Sequence, residues 1–128
     1  MAGYSGTPLP RKLGIKDDSR VRLVGEPDGF ARALGVLPRR RGEADVIVLF
    51  ARDARELSRS FPAARKALRQ DGGLWLAWPK KASGVSTDLT EALVRGFGLS
   101  QGLVDNKVCA IDDTWSGLRF VVRLADRS

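Results

Sequence analysis

The hydrophobic positions of this chain follow two alternating rhythms. Short apolar runs rich in branched residues are separated by stretches in which apolar residues return every three or four positions. The first run, Val21, Leu23 and Val24, leads into a Gly- and Pro-containing stretch at 25–29 and reads as a strand entering a tight turn. Asp28 is placed to cap a helix reaching about Leu37, and the Pro- and Arg-rich residues 38–42 break it. Residues 45–50 form a continuous apolar run bounded by charge, which predicts a central parallel strand covered on both faces. Asp53 then caps a helix in which Leu57, Phe61, Ala64 and Leu68 recur at spacings of 4, 3 and 4. Pro62 falls inside that stripe and predicts either two short helices or one kinked helix, and Asp71, Gly72 and Gly73 supply the stop.

Residues 74–78 predict the next buried strand, closed by Pro79, which has no N–H to give a ladder. A loop at 80–87 precedes Asp88 and Glu91, whose spacing predicts a capping box and a helix through about Phe97, ended by Gly98. Residues 106–111 and 118–124 form a hairpin joined by 112–117, with Leu118, Phe120, Val122 and Leu124 alternating on one face. Upstream, residues 3–10 predict an extended segment and 11–15 a short helical turn, so that 1–15 packs as an N-terminal strap. The order is strand, helix, strand, helix, strand, helix, hairpin. It predicts an α/β open sheet with parallel central strands, a C-terminal antiparallel hairpin at the edge, and helices on both faces. Ligands of such sheets gather at the carboxyl ends of the strands, here 25–29, 50–53 and 78–86.

At 128 residues, with 43% hydrophobic and 29% charged residues, the chain predicts one folded domain spanning 1–128. With no histidine and one cysteine it has no Ser-His-Asp triad, Cys-His dyad or internal disulfide, and no metal site is expected. No apolar run approaches the roughly 20 residues of a membrane span, and the first residues lack the order of a secretory signal, so a cytoplasmic protein without membrane contact is expected. Cys109 reads as a small packing residue. The net charge of +7 is uneven: residues 1–87 carry +8 and residues 88–128 carry −1. One face should therefore attract phosphates, nucleic acid or an acidic partner.

The leading candidate site is the loop after the third strand. Its Lys80, Lys81, Ser83, Gly84, Ser86 and Thr87 offer ammonium groups, hydroxyls and free amides for a phosphate or carboxylate. The alternative is a plain connection in which Ser86 or Thr87 caps the following helix. Asp112 and Asp113 read as turn chemistry, because neighbouring residues at a strand end point to opposite sides. Asp105, Asn106 and Lys107 form a polar triplet that either orients a ligand or closes the hairpin. Arg52, Arg55, Arg59 and Lys66 share a helix face and Arg39, Arg40 and Arg41 form a charged turn, a surface that suits phosphate backbones by charge only. Trp75, Trp78 and Trp115 are expected in the core.

Residues 21–29, 44–50 and 68–78 are similar to the first, fourth and fifth strands of class I S-adenosylmethionine-dependent methyltransferases, and the closing hairpin resembles that family's last two strands. Residues 4–15, 78–84 and 103–109 resemble a small uncharacterised bacterial family, a domain of unknown function. The likeness implies a Rossmann-like fold with Gly25, Asp28 and Gly29 at the cofactor turn. It also implies an acidic residue after a second strand for the ribose of S-adenosylmethionine. Only about 15 residues separate Phe30 from Ala44, whereas a strand, helix and strand need about 30; the segment that would carry the ribose acid is missing, and Glu43 precedes the wrong strand. The expectation is a methyltransferase-like domain without catalysis or cofactor, binding a small anionic ligand or a protein partner. The alternatives are a methyltransferase completed by oligomerisation and an electrostatic nucleic-acid binder; separately, an exposed sheet edge offers a route to a homodimer.

Overall fold

The structure, a computed structural model, describes residues 7–128. Its elements are α1 (Leu9–Lys12), β1 (Val21–Val24), α2 (Phe30–Leu34), β2 (Ala44–Phe50), α3 (Ala54–Ala67), β3 (Leu68–Pro79), α4 (Glu91–Ser100), β4 (Leu103–Ala110) and β5 (Trp115–Val122), with 3-10 turns at Lys81–Ser83 and Leu124–Asp126. The strands form one five-stranded open mixed sheet in the order β1-β2-β3-β5-β4. β1, β2 and β3 are parallel, β5 runs antiparallel to β3, and β4 closes the hairpin at the edge.

Alternation along the strands divides the core into two layers. Ile47, Leu49, Leu74, Leu76, Leu118 and Phe120 pack with Leu57, Phe61 and Ala64 of α3 and Val94 of α4. Val46, Val48, Phe50, Trp75 and Trp115 face the other way, onto Leu13 beside α1 and onto Phe30 and Leu34 of α2. All three tryptophans are buried. Trp75 also ties α1 down, since its indole N–H donates to the Leu13 carbonyl at 3.0 Å. The layer holding α3 and α4 is closed by Gly98, where any Cβ would fall 2.1 Å from the Phe120 ring.

The connections β1-α2-β2 and β2-α3-β3 step the same way across the sheet, yet α2 packs on one face and α3 on the other. Two right-handed crossovers would put both helices on one face. After α2 the chain instead returns around the free side of β1, where the Arg39 N–H donates to the Val21 carbonyl at 2.7 Å.

Several boundaries differ from the sequence pattern. Residues 1–6, the start of the expected extended segment, lie outside the described residues, and 9–12 are helical with prolines in the first turn, where a missing N–H costs nothing. The helix after β1 starts at Gly29, not at an Asp28 cap, and stops at Gly35; both glycines are left-handed. α3 continues through Pro62, because the buried Leu57, Phe61, Ala64 and Ala67 hold both halves on the sheet while Pro62 faces solvent. Residues 71–73 are not a stop. They form an irregularity inside a 12-residue strand, in which a Cβ on Gly72 would lie 2.6 Å from the Asp45 carbonyl oxygen. Gly98 lies inside α4, and Leu124 has left β5 and is 80% exposed.

Candidate functional site

The carboxyl ends of β1, β2 and β3 converge where a ligand of a parallel sheet is held. At the end of β1, Gly25 and Gly29 take φ of 66° and 82°, a left-handed conformation that side chains resist. Gly25 is also crowded: a Cβ there would stand 2.7 Å from the Phe50 carbonyl oxygen, so the turn lies directly on the end of β2. The shallow depression at this turn is lined by Glu26, Pro27, Asp28, Gly29, Ala31 and Arg32, all from the turn and α2 themselves.

Arg52 stands at the carboxyl ends of β1 and β2. Its guanidinium donates to the Gly25 carbonyl at 3.2 Å and forks onto Glu56 at 3.1 and 3.2 Å. It also stands 5.7 Å from the Trp115 ring centre, within reach of a cation–π contact. Beneath it Phe30, Phe50 and Trp115 stack edge to face at 4.8 and 5.0 Å. The nearby start of α3, a natural anion seat, is already met by three carboxylates: Asp53 accepts from the Glu56 N–H, Glu56 from the Arg52 N–H, and Asp88 from the Ala54 N–H. Asp88 therefore does not cap α4; Thr90 does, accepting from the Leu93 N–H at 3.1 Å.

The loop 80–87 leaves β3 where the sequence places it, held by the Lys80 N–H on the Thr114 carbonyl. Two of its three hydroxyls are spent on the loop itself. Ser83 donates to the Lys80 carbonyl and accepts from the Val85 N–H, and Thr87 accepts from the Leu89 N–H. Neither Ser86 nor Thr87 caps α4. Gly84 is left-handed at φ 79° and ends the 3-10 turn. Lys80 is half-buried and Lys81 exposed, and among the described residues neither ammonium has a hydrogen bond or ion pair. Among the described residues the two candidate sites, the Gly25 to Gly29 turn and this loop, share no hydrogen bond; Arg52 stands beside the turn.

Asp112 accepts from the Thr114 and Trp115 N–H groups at 2.8 Å and forms an ordinary turn. The triplet 105–107 splits. Asp105 pairs with Arg95 of α4 at 3.0 Å, Asn106 forms a bulge, and the Lys107 ammonium donates to the Lys12 carbonyl at 3.2 Å on the opposite face. Cys109 is half-buried beside this site; burial pushes its thiol up, against the opposing charges of Lys12 and Lys107. The basic face of α3 loses Arg52 to Glu56, leaving Arg55, Arg59 and Lys66 exposed. Among the described residues no cluster of His, Cys, Asp or Glu is arranged to hold a metal, and no helix is long and apolar enough to cross a membrane.

Arg52 is the residue that pattern reading undervalued. Its signal was present, an arginine one place past a strand with a glutamate four residues on, where the pair meets on one helix face. No family model and no curated protein matches the chain.

Proposed function

We propose that this is a Rossmann-like domain of methyltransferase type that has given up the adenosyl cofactor and binds a small anionic ligand without methyl transfer. The observation that carries the reading is Arg52, whose guanidinium stands at the carboxyl ends of β1 and β2, bonded to the Gly25 carbonyl and to Glu56. A cofactor entering there would have to break those bonds and displace a cation that already has its counter-charge.

The placement of α2 supports the scaffold half of the reading. If α3 marks the right-handed face, a right-handed crossover through α2 would deliver the chain to the free side of β1. That is where a methyltransferase continues with its second strand. Removing that strand and its companions leaves a helix on the original face and a short return to β2, the arrangement found here. The ligand half rests on Lys80 and Lys81, two cations without partners at a strand's carboxyl end, followed by Gly84 and Ser86.

Titrating isotope-labelled protein with inorganic phosphate at low salt tests the ligand half. Saturable amide shifts at residues 80–87, lost there in a Lys80→Ala/Lys81→Ala variant, are expected; unchanged shifts of these residues in that variant would rule the loop out as the site. For the cofactor half, S-adenosylmethionine should leave the melting temperature unmoved, because a ligand that does not bind the native state cannot stabilise it.

A further inference from the structure

The face that carries α1 and α2 is covered over β1, β2 and the middle of β3, but farther along it β5 and β4 present a basic shelf. Arg119 of β5 and Lys107 of β4 are direct cross-strand partners, two like charges placed side by side. Such a pair is unfavourable in itself. Arg119 is half-buried and lies against Gly73, where a Cβ would fall 2.4 Å from Nε; the glycine lets the guanidinium rest on the β3 backbone. Among the described residues Arg119 has no hydrogen bond or ion pair. Its pKa is pushed down by burial and then by the charge of Arg127, so it sits among positive charge without compensation.

The shelf has a built wall. Lys12, Leu13 and Gly14, at the end of α1, stand across from Asn106, Lys107 and Arg119 around a depression of about 230 Å³. The wall is pinned twice, by Lys107 to the Lys12 carbonyl and by Lys12 to the Ala110 carbonyl. Each ammonium retains donors beyond the one so used. The carboxylates of neighbouring sequence are engaged elsewhere: Asp105 with Arg95 on the other face, and Asp71 with Arg69.

From this geometry we infer that Arg119, Lys107 and Lys12, with the Asn106 carboxamide, bind the phosphoryl group of a small molecule. A forked guanidinium donates to two oxygens of a phosphate at once, and two ammonium groups beside it suit a dianion better than a single carboxylate. The site is separate from the 80–87 loop and stands or falls without it.

The test titrates the intact labelled protein with inorganic phosphate, pyrophosphate and acetate at low salt. The expected result is saturable shifts at Gly14, Gly73, Asn106, Lys107 and the Arg119 Nε, stronger for the phosphates than for acetate. Arg119→Gln should weaken binding about tenfold or more, the loss of a charge-assisted pair, while Lys80→Ala/Lys81→Ala leaves it unchanged. Inorganic phosphate saturating alone would mark a free-ion site; tighter binding of pyrophosphate would mark a site for a phosphorylated ligand, and either supports the assignment. Arg119→Gln should also raise the urea midpoint of the unliganded protein, since it removes an uncompensated charge and leaves the fold intact. Shifts scattered over all basic surfaces, or wild-type affinity in Arg119→Gln, would overturn it.

Discussion

The carboxyl end of the parallel strands and the shelf between α1 and the hairpin are both basic, but they treat charge in opposite ways. At the carboxyl end Arg52 has a carbonyl, a carboxylate and an aromatic face, and the start of α3 is met by three carboxylates. On the shelf Arg119 has none of these, although two lysines and Arg127 surround it. A buried or half-buried charge costs stability unless something compensates it. The charge of Arg52 is thus compensated within the chain, and that of Arg119 is not. Position in the fold marks where ligands gather; unmet charge marks where one is still wanted.

The comparison can be broken at several points. Trp75 serves both regions, as core under β3 and as the anchor of α1, so Trp75→Ala should cost about 3–5 kcal/mol in urea unfolding; a loss below about 1 kcal/mol would mean α1 is held by other contacts. Gly25 and Gly29 share a left-handed backbone, but only Gly25 is pressed on Phe50. Gly25→Ala should cost about 1–3 kcal/mol and Gly29→Ala about 1 kcal/mol, from strain alone; equal losses would remove the close approach of β1 and β2.

Arg52→Ala removes the cation from the ends of β1 and β2. Its partners are solvent-accessible, so the loss should be about 1 kcal/mol or less. Equilibrium dialysis should still find no S-adenosylmethionine bound, because no strand lies between α2 and β2 to carry an acid for its ribose. Binding gained on that substitution would show that the plug alone excludes the cofactor.

A paired cation gives the control. At the amino end of the strands Asp45 accepts from the Arg20 N–H at 2.7 Å and meets Arg20 and Arg69 at 3.3 Å. Burial opposes ionisation there, but the bonds from Arg20 and the charges of Arg20 and Arg69 outweigh it and hold the carboxyl below its usual range. A lowered folded pKa stabilises above the unfolded value near 3.9 and is lost as pH falls through the folded one. Asp45→Asn should therefore cost about 1 kcal/mol at pH 7, discounted for partial exposure, and the gap to wild type should close below about pH 4. A gap constant with pH would assign the effect to packing.

Much of the architecture was legible because burial dictates it. The apolar run at 45–50 and the stripe of Leu57, Phe61 and Ala64 could satisfy only a central strand and a sheet-facing helix. What local chemistry decides was less legible. Thr90 capped α4 in place of Asp88, which was drawn away by the α3 N–H groups, and Gly72 and Gly73 served close packing where they also fit a turn. The loop candidates were placed correctly at the end of β3, yet Ser83 and Thr87 turned inward to their own backbone. The shelf could not be read at all, since the meeting of Lys12, Lys107 and Arg119 depends on strand register and on where α1 docks.

We propose above that a methyltransferase-type sheet persists here without its cofactor. Calorimetric titration of the intact protein with S-adenosylmethionine tests it most directly. No heat beyond dilution is expected at concentrations into the millimolar range. A saturable isotherm with a micromolar dissociation constant would contradict it.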